Sequence, residues 1–236
     1  MIKSLAFFFA VFLSATVLAN EKSVYSFSWL DKDKEIYVLQ NRRFRKDGQV
    51  YVGVTGSKTL SGAFIDAYGG TARGGFFWSE DWGFELVYGK SSGSENDTAK
   101  GVFEQANSVA YYRKVDSFMG GMLMWSPFYS KINTFNKVFY FDWMFGVGLA
   151  SVKTLDNRNR FEVGSTNEKE LTSENNMGGI WNTGLRFYIN DNWSLRADIT
   201  GLHFNAKKAR NDGSQDLKTN KLFNNYDLGL GLNYAF

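Results

Sequence analysis

The sequence predicts an all-β protein, an eight-stranded antiparallel up-and-down β-barrel that crosses the outer membrane after a short periplasmic N-terminal segment. Three observations predict this fold. A secretory signal opens the chain, the composition is rich in aromatic residues and glycine with a single proline, and segments of alternating apolar and small or polar residues recur up to the last residue.

Residues 1–19 have the three parts of a secretory signal. Lys3 provides the positive n-region, Leu5–Leu18 the apolar run, and Val17-Leu18-Ala19 a small-x-small-like cleavage site. The run is short and badly flanked for a membrane helix. We therefore expect an exported protein whose mature chain begins near Asn20.

The composition excludes several classes of protein and site. The 22 Phe, 12 Tyr, 7 Trp and 24 Gly with one Pro suit long sheets whose backbones bond without interruption. The absence of cysteine excludes disulfides, thiolate metal sites and a lipid-modified cysteine anchor. A net charge of +3 is too weak to indicate nucleic acid. We expect no cofactor, no metal and no nucleic-acid partner.

The final segment, Asn225–Phe236, alternates strictly. One face carries Tyr226, Leu228, Leu230, Leu232, Tyr234 and Phe236, and the other carries Asp227, Gly229, Gly231, Asn233 and Ala235. We expect the first face to meet lipid and the second a crowded lumen. The six apolar residues resemble the C-terminal signal of outer-membrane barrels, so the barrel-assembly machinery is an expected partner.

Seven further segments with weaker alternation are predicted strands: Gln49–Gly56, Phe64–Trp78, Trp82–Gly89, Tyr111–Pro127, Val138–Val152, Met177–Ile189 and Trp193–Phe204. Short turns are expected near 79–81, 131–137 and 190–192, and longer polar loops at 57–63, 90–108, 153–176 and 205–221. Short periplasmic turns and long outer loops are typical of outer-membrane barrels. A soluble lipocalin-type barrel would show the reverse polarity, apolar inside and charged outside.

Aromatic residues collect beside the short turns or at the C-terminus, which predicts an aromatic girdle at the periplasmic interface, formed by Trp78, Trp82, Trp193, Tyr234 and Phe236. The outer loops face lipid and lipopolysaccharide. The last of them is basic, and its cations either bind lipopolysaccharide phosphates or keep the loop soluble: Lys207, Lys208, Arg210, Lys218 and Lys221.

The inward rows carry three cations and four anions: Arg73, Glu85, Asp142, Arg186, Arg196, Asp198 and Asp227. An eight-stranded barrel is only wide enough inside for side chains to fill it. Charges confined there must pair or hydrogen-bond. We therefore predict an interlocked network that closes the barrel, in which Arg186 and Arg196 meet Asp198, Asp142 or Glu85.

Residues 20–48 form a periplasmic N-terminal segment before the barrel of residues 49–236. Charges of both signs flank the short apolar patch Ile36–Leu39, and a basic cluster follows at Arg42–Lys46. This cluster is either part of a solvated linker or a contact for lipid headgroups or a partner.

The sequence gives little support for an enzyme or a metal site. A lipid-modifying hydrolase or acyltransferase needs a histidine beside a serine and an acid. The one histidine, His203, is expected at the outer end of the seventh strand, and nothing places Ser108 or Ser151 next to it. Four loop carboxylates, which either bind calcium loosely or form a solvated face, lack the spacing of a calcium loop: Glu162, Glu168, Glu170 and Glu174.

Three short motifs carry a family resemblance: Ile36-Tyr37-Val38-Leu39-Gln40-Asn41-Arg42, Trp125-Ser126-Pro127-Phe128-Tyr129-Ser130-Lys131, and Phe141-Asp142 with Gly146-Val147-Gly148. They resemble outer-membrane β-barrel domain proteins of myxobacterial and related predatory bacteria. The resemblance implies a small eight-stranded barrel, and some relatives are linked to envelope-spanning machinery for gliding motility. It implies no catalytic residues.

Three function classes follow. The sequence favours a non-enzymatic barrel with a plugged polar lumen and a structural or interaction role, as a subunit of an envelope-spanning complex of the motility type. A narrow porin-like channel is the alternative, because a pore also has a polar lumen. A lipid-modifying enzyme is the third class.

Overall fold

Eight antiparallel strands close into one ring, in which each strand pairs with its sequence neighbours and the last pairs with the first. The computed structural model describes residues 42–134, 137–158, 171–207 and 220–236. The elements are β1 (Val50–Thr59), β2 (Ile65–Phe77), β3 (Trp82–Glu95), α1 (Asp97–Ala106), β4 (Arg113–Thr134), β5 (Lys137–Asp156), β6 (Thr172–Tyr188), β7 (Trp193–Lys207) and β8 (Asn220–Ala235). The predicted eight-stranded antiparallel barrel is confirmed.

The wall of the barrel separates the two rows of each strand. On β1 the valines point outward, with Val54 66% exposed, whereas Tyr51 and Thr55 are buried inside. On β8 Leu230 is 64% exposed, whereas Asn233 is buried. An outer surface made of large apolar side chains this exposed is typical of a wall that faces lipid.

The hairpin of β4 and β5 extends further than predicted. A turn at 131–137 was expected, but β4 continues to Thr134 and pairs there with Lys137 of β5. The predicted end of the fourth strand at Pro127 is also wrong. The register shifts between Trp125 and Phe128, and this irregularity accommodates a proline that has no N–H to donate.

This hairpin projects beyond its neighbours. The pairing of β4 with β3 ends at Trp125 and Trp82, and the pairing of β5 with β6 ends at Phe141 and Phe187. The projection lies at the end of the barrel that carries the short turns, which we call the short-turn end. The opposite end, with the longer connections, is the long-loop end.

The connection between β3 and β4 holds a helix that the sequence analysis took for a loop. Asn96 caps α1, because its side-chain oxygen accepts a hydrogen bond from the backbone N–H of Ala99 at 3.0 Å. Asn107 ends the helix in the left-handed region, with a φ of 46°. Across the described ranges, no helix is both long enough and apolar enough to cross a bilayer.

The interior holds both polar and apolar side chains. On β7 the inward row runs from Arg196 and Asp198 to Leu202 and Phe204. The apolar residues pack with inward residues of other strands into what we call the apolar layer: Val87, Phe118, Val152, Ile180, Leu202 and Phe204. The expected polar lumen therefore covers only part of the interior. A narrow barrel must be filled by side chains, and apolar ones need no hydrogen-bond partners there.

The two ends can be assigned to the two sides of the outer membrane by cysteine labelling, because the native chain has no cysteine. Glu104 is exposed in α1 at the long-loop end, and Asp191 is exposed in a short turn. We expect a membrane-impermeant maleimide to label Glu104→Cys on intact cells and Asp191→Cys only after permeabilisation. The reverse pattern would invert the orientation.

Candidate functional site: the closed lumen

Four charged side chains form a closed ring of ion pairs, which we call the central network. Arg196 contacts Glu85 at 2.6 Å and Asp198 at 2.8 Å. Arg73 contacts the same two carboxylates, at 2.9 Å and 3.3 Å. Each cation therefore meets both anions, and all four residues are buried. Multiple partners of this kind offset the cost of removing the charges from water.

The central network crosses the lumen. Arg73 and Glu85 lie on the neighbouring strands β2 and β3, whereas Arg196 and Asp198 lie on β7 at the opposite side of the ring. Two neutral side chains form further hydrogen bonds with the central network. Tyr51 donates a hydrogen bond to Glu85 at 2.5 Å, and Asn182 accepts one from Arg196 at 2.7 Å. The network thus joins opposite walls of the barrel.

A second buried cluster closes the short-turn end. Lys46, which precedes β1, reaches Asp142 at 2.9 Å and donates to Ser126 at 2.7 Å. Tyr188 donates a hydrogen bond to the same carboxylate. Burial lowers the pKa of the Lys46 ammonium, and the charge of Asp142 opposes that shift. The residue that pairs with Asp142 thus comes from the N-terminal segment, which the sequence analysis placed outside the barrel.

Arg186 differs from its expected role. Its guanidinium lies 4.4 Å from the ring centre of Tyr51 and 5.7 Å from that of Phe77, as in a cation–π contact. Its Nε and Nη2 atoms have no hydrogen-bond partner, and the described residues offer it no ion pair with a carboxylate. Asp142, the residue opposite Arg186 on β5, instead pairs through one of its oxygens with Lys46.

Asp227 also lies apart from the central network. Its carboxylate accepts hydrogen bonds from Thr59 at 2.6 Å and from Asn225 at 3.0 Å, and it forms no ion pair within the described ranges. Asp227 is paired in register with Thr200, two positions beyond Asp198 towards the long-loop end. Its partners are therefore neutral groups of that region.

A third cluster, at the long-loop end, was missed by the sequence analysis. Arg113 contacts Asp156 at 2.9 Å and Glu174 at 3.0 Å, and Arg158 contacts the same carboxylates at 3.3 Å and 3.4 Å. Most of these residues were assigned to a loop at 153–176, although Asp156 ends β5 and Glu174 lies on β6. Residues 172–176 are all polar, so no apolar alternation in the sequence marks this part of β6 as a strand.

The two arginines beside Glu174 oppose its use as a calcium ligand. Its fellow candidates Glu162, Glu168 and Glu170 lie outside the described residues, as do Lys208, Arg210 and Lys218 of the basic loop and the signal at residues 1–19. Within the described ranges, no three His, Cys, Asp or Glu side chains are grouped to hold a metal ion.

His203 sits on the outer wall and not in a catalytic arrangement. Its Nε2 accepts a hydrogen bond from the indole N–H of Trp181 at 2.8 Å, so its Nδ1 carries the proton shared with Asn224, also at 2.8 Å. Both ring nitrogens are thus engaged. Ser151 and Ser108 are exposed, and neither forms a hydrogen bond with His203 in the described part of the chain.

The last strand presents the predicted apolar row to the outside. Leu228, Leu230 and Leu232 are exposed along its middle. At the short-turn end the Tyr234 ring packs edge-on against Trp193 and Phe236, each with 5.1 Å between ring centres. Trp82 and Trp125, which are paired on β3 and β4, stack with 6.1 Å between ring centres. These aromatic residues form a girdle where the barrel meets its short turns.

Comparisons with known proteins agree with this architecture. The family model described as "Outer membrane protein beta-barrel domain" matches residues 39–236. No curated protein sequence matches the chain significantly.

Solved structures of small barrels are similar in fold. The N-terminal β-barrel domain of Pseudomonas aeruginosa OprF is 15% identical with a TM-score of 0.46, covering 80% of this chain and 98% of that one. Neisserial surface protein A is 12% identical with a TM-score of 0.49, covering 80% and 100%. Pseudomonas aeruginosa OprG is 12% identical with a TM-score of 0.47, covering 82% and 98%.

The family match spans every described strand, and the exposed apolar wall has the polarity that a lipid bilayer requires. Short turns on the periplasmic side and long loops on the cell surface are typical of such barrels, so we expect the short-turn end to face the periplasm. This chain belongs to the outer-membrane protein β-barrel domain family and is an integral protein of the outer membrane.

Proposed function

We propose that this protein is a non-enzymatic outer-membrane barrel with a closed lumen and a structural or interaction role. The observation that carries the proposal is the obstruction of the interior at successive levels. Lys46 and Asp142 fill the periplasmic end, the central network joins opposite walls, and the apolar layer follows. A side-chain-filled interior leaves no continuous path for water or solutes.

Conductance measurements distinguish a closed barrel from the alternative function, a narrow porin-like channel. We expect the purified, refolded wild-type protein to show no steady conductance in planar bilayers. Phe118→Ala, which shortens one side chain of the apolar layer and leaves the central network intact, should also remain closed. Folding of both samples is checked beforehand by their heat-modifiable migration on gels. Stable and reproducible open channels in the wild type would favour the channel instead.

The interaction role that we propose is membership of an envelope-spanning complex of the motility type. It is supported by the resemblance of the Trp125–Lys131 motif to myxobacterial barrels and by the projection of the β4–β5 hairpin into the periplasm. Crosslinking of a tagged chain in growing cells, followed by mass spectrometry, tests this role. Recovery of periplasmic and inner-membrane motility-type components is expected, and recovery of the assembly machinery alone would contradict it.

A further inference from the structure

Residues 42–48, which we call the strap, lie in the periplasmic mouth of the barrel without helix or strand structure. Their side chains alternate. Phe44 and Lys46 are buried and Arg42 is half-buried, whereas Arg43 and Arg45 are exposed. The backbone bends at Arg43 and Phe44 and turns at Asp47 and Gly48. The strap inserts three anchors, at alternate positions, into the barrel.

The aromatic anchor occupies a cradle of tyrosines. The Phe44 ring stacks on Tyr188 with 4.6 Å between ring centres and meets Tyr140 edge-on at 5.4 Å. Its backbone N–H donates to the hydroxyl of Tyr129 at 3.4 Å. Tyr129 and Tyr140 belong to the projecting β4–β5 hairpin, so that hairpin forms one wall of the cleft.

The two basic anchors meet acids on either side of this cradle. Arg42 contacts Asp81 at 3.2 Å and Glu80 at 3.5 Å, and Lys46 contacts Asp142 at 2.9 Å. Glu80 also accepts a hydrogen bond from the backbone N–H of Lys46, at 3.2 Å. An acidic pocket, an aromatic pocket and a second acidic pocket thus receive alternate residues of the strap.

The carboxylate of Asp142, which is paired with Lys46, has a second possible partner in Arg186. Asp142 and Arg186 are opposite each other in the pairing of β5 with β6. The Oδ1 atom of Asp142 and the Nε and Nη2 atoms of Arg186 are buried without hydrogen-bond partners. When Lys46 leaves, Arg186 is therefore placed to pair with Asp142. This pairing avoids the free-energy cost of leaving the buried Asp142 carboxylate without a cation.

We propose that the periplasmic mouth is a peptide-binding site that the strap occupies in cis. In trans it accepts a periplasmic segment that carries a basic residue, an aromatic residue and a lysine at alternate positions. Arg186 holds Asp142 while the site is empty. The inference rests on the interaction role proposed above, but its test measures peptide binding by the purified barrel, so either proposal can fail without the other.

Peptide titration tests the site directly. The triple variant Arg42→Ser, Phe44→Ser, Lys46→Ser empties the cleft, and a fluorescent peptide with the sequence of residues 42–48 is added to the folded barrel. We expect saturable binding, about tenfold weaker for a peptide that carries Phe44→Ser at unchanged charge, since one stacked aromatic contact is lost. The wild-type barrel, whose cleft is filled, should bind the peptide least.

Equal binding of the two peptides, or equal binding to the emptied and wild-type barrels, would show charge attraction alone and overturn the proposal. Absence of binding to a folded emptied barrel would overturn it as well. If the triple variant does not fold, the pair Phe44→Ser, Lys46→Met carries the same titration.

Urea unfolding tests whether Arg186 pairs with Asp142 when Lys46 is absent. We expect Lys46→Met to unfold at nearly the wild-type urea midpoint, and Lys46→Met with Arg186→Met to unfold at a clearly lower one. Arg186→Met alone is the matched control. If the midpoint of Lys46→Met is already as low as that of the double variant, Arg186 does not replace Lys46.

Discussion

Replacing Arg196 with methionine is expected to lower the free energy of unfolding by about 3–5 kcal/mol, the typical loss when one partner of a buried ion pair is removed. Arg196 contacts both Glu85 and Asp198, and its removal leaves those two buried carboxylates with Arg73 as their common cation. Urea unfolding in lipid vesicles, followed by tryptophan fluorescence, measures the loss.

Arg186→Met is the matched control, with the same change on a neighbouring strand. Arg186 stacks on Tyr51 and forms no ion pair with a described carboxylate, so we expect a loss of no more than about 2 kcal/mol, the upper range of a desolvated cation–π contact. Both arginines lie on inward rows, so the sequence pattern alone does not distinguish them. Equal losses for both variants would contradict the central network as described.

Leu230→Arg is expected to reduce insertion into the outer membrane sharply. Leu230 is 64% exposed on the lipid-facing row of β8, and a cation near the bilayer midplane costs about 2–4 kcal/mol in a barrel. The measurement is the amount of heat-modifiable protein in outer-membrane fractions. Leu60→Arg is the control, since Leu60 is also apolar and exposed but lies between β1 and β2 at the long-loop end.

Deletion of Phe236 probes the same strand at its end. Phe236 packs edge-on against Tyr234, and its backbone N–H donates to Val50 of β1 at 3.0 Å, so it also joins the last strand to the first. We expect lower outer-membrane levels, because this aromatic row is the predicted signal for the assembly machinery. Normal levels of both Leu230→Arg and the deletion would count against that signal.

Alternation along the chain was sufficient to assign most strands and their faces. A strand places successive side chains on opposite sides, so Val54 and Thr55, or Leu230 and Gly231, are separated by local backbone geometry alone. The same rule placed Arg73, Glu85, Arg196 and Asp198 on inward rows. The number of strands and the location in the outer membrane also follow from sequence pattern.

Strand ends and insertions were harder to assign. A turn is predicted at 131–137, but pairing with β5 carries β4 through a register shift near Pro127 to Thr134. Hydrogen bonds between strands override local propensity in such a hairpin. α1 was missed because a short helix capped by Asn96 leaves only a weak pattern in a polar loop.

Which charges meet is a property of the closed barrel alone. Each strand determines the face of its own residues, but the contact of Glu85 with Arg196 depends on the ring closing so that β3 and β7 stand opposite each other. The pairing of Lys46 with Asp142 is equally hard to predict, because the two residues are distant in sequence. The strap also lacks the alternating pattern that would predict where its side chains point. Local geometry is encoded residue by residue, whereas pairing across a lumen depends on the register of all eight strands together.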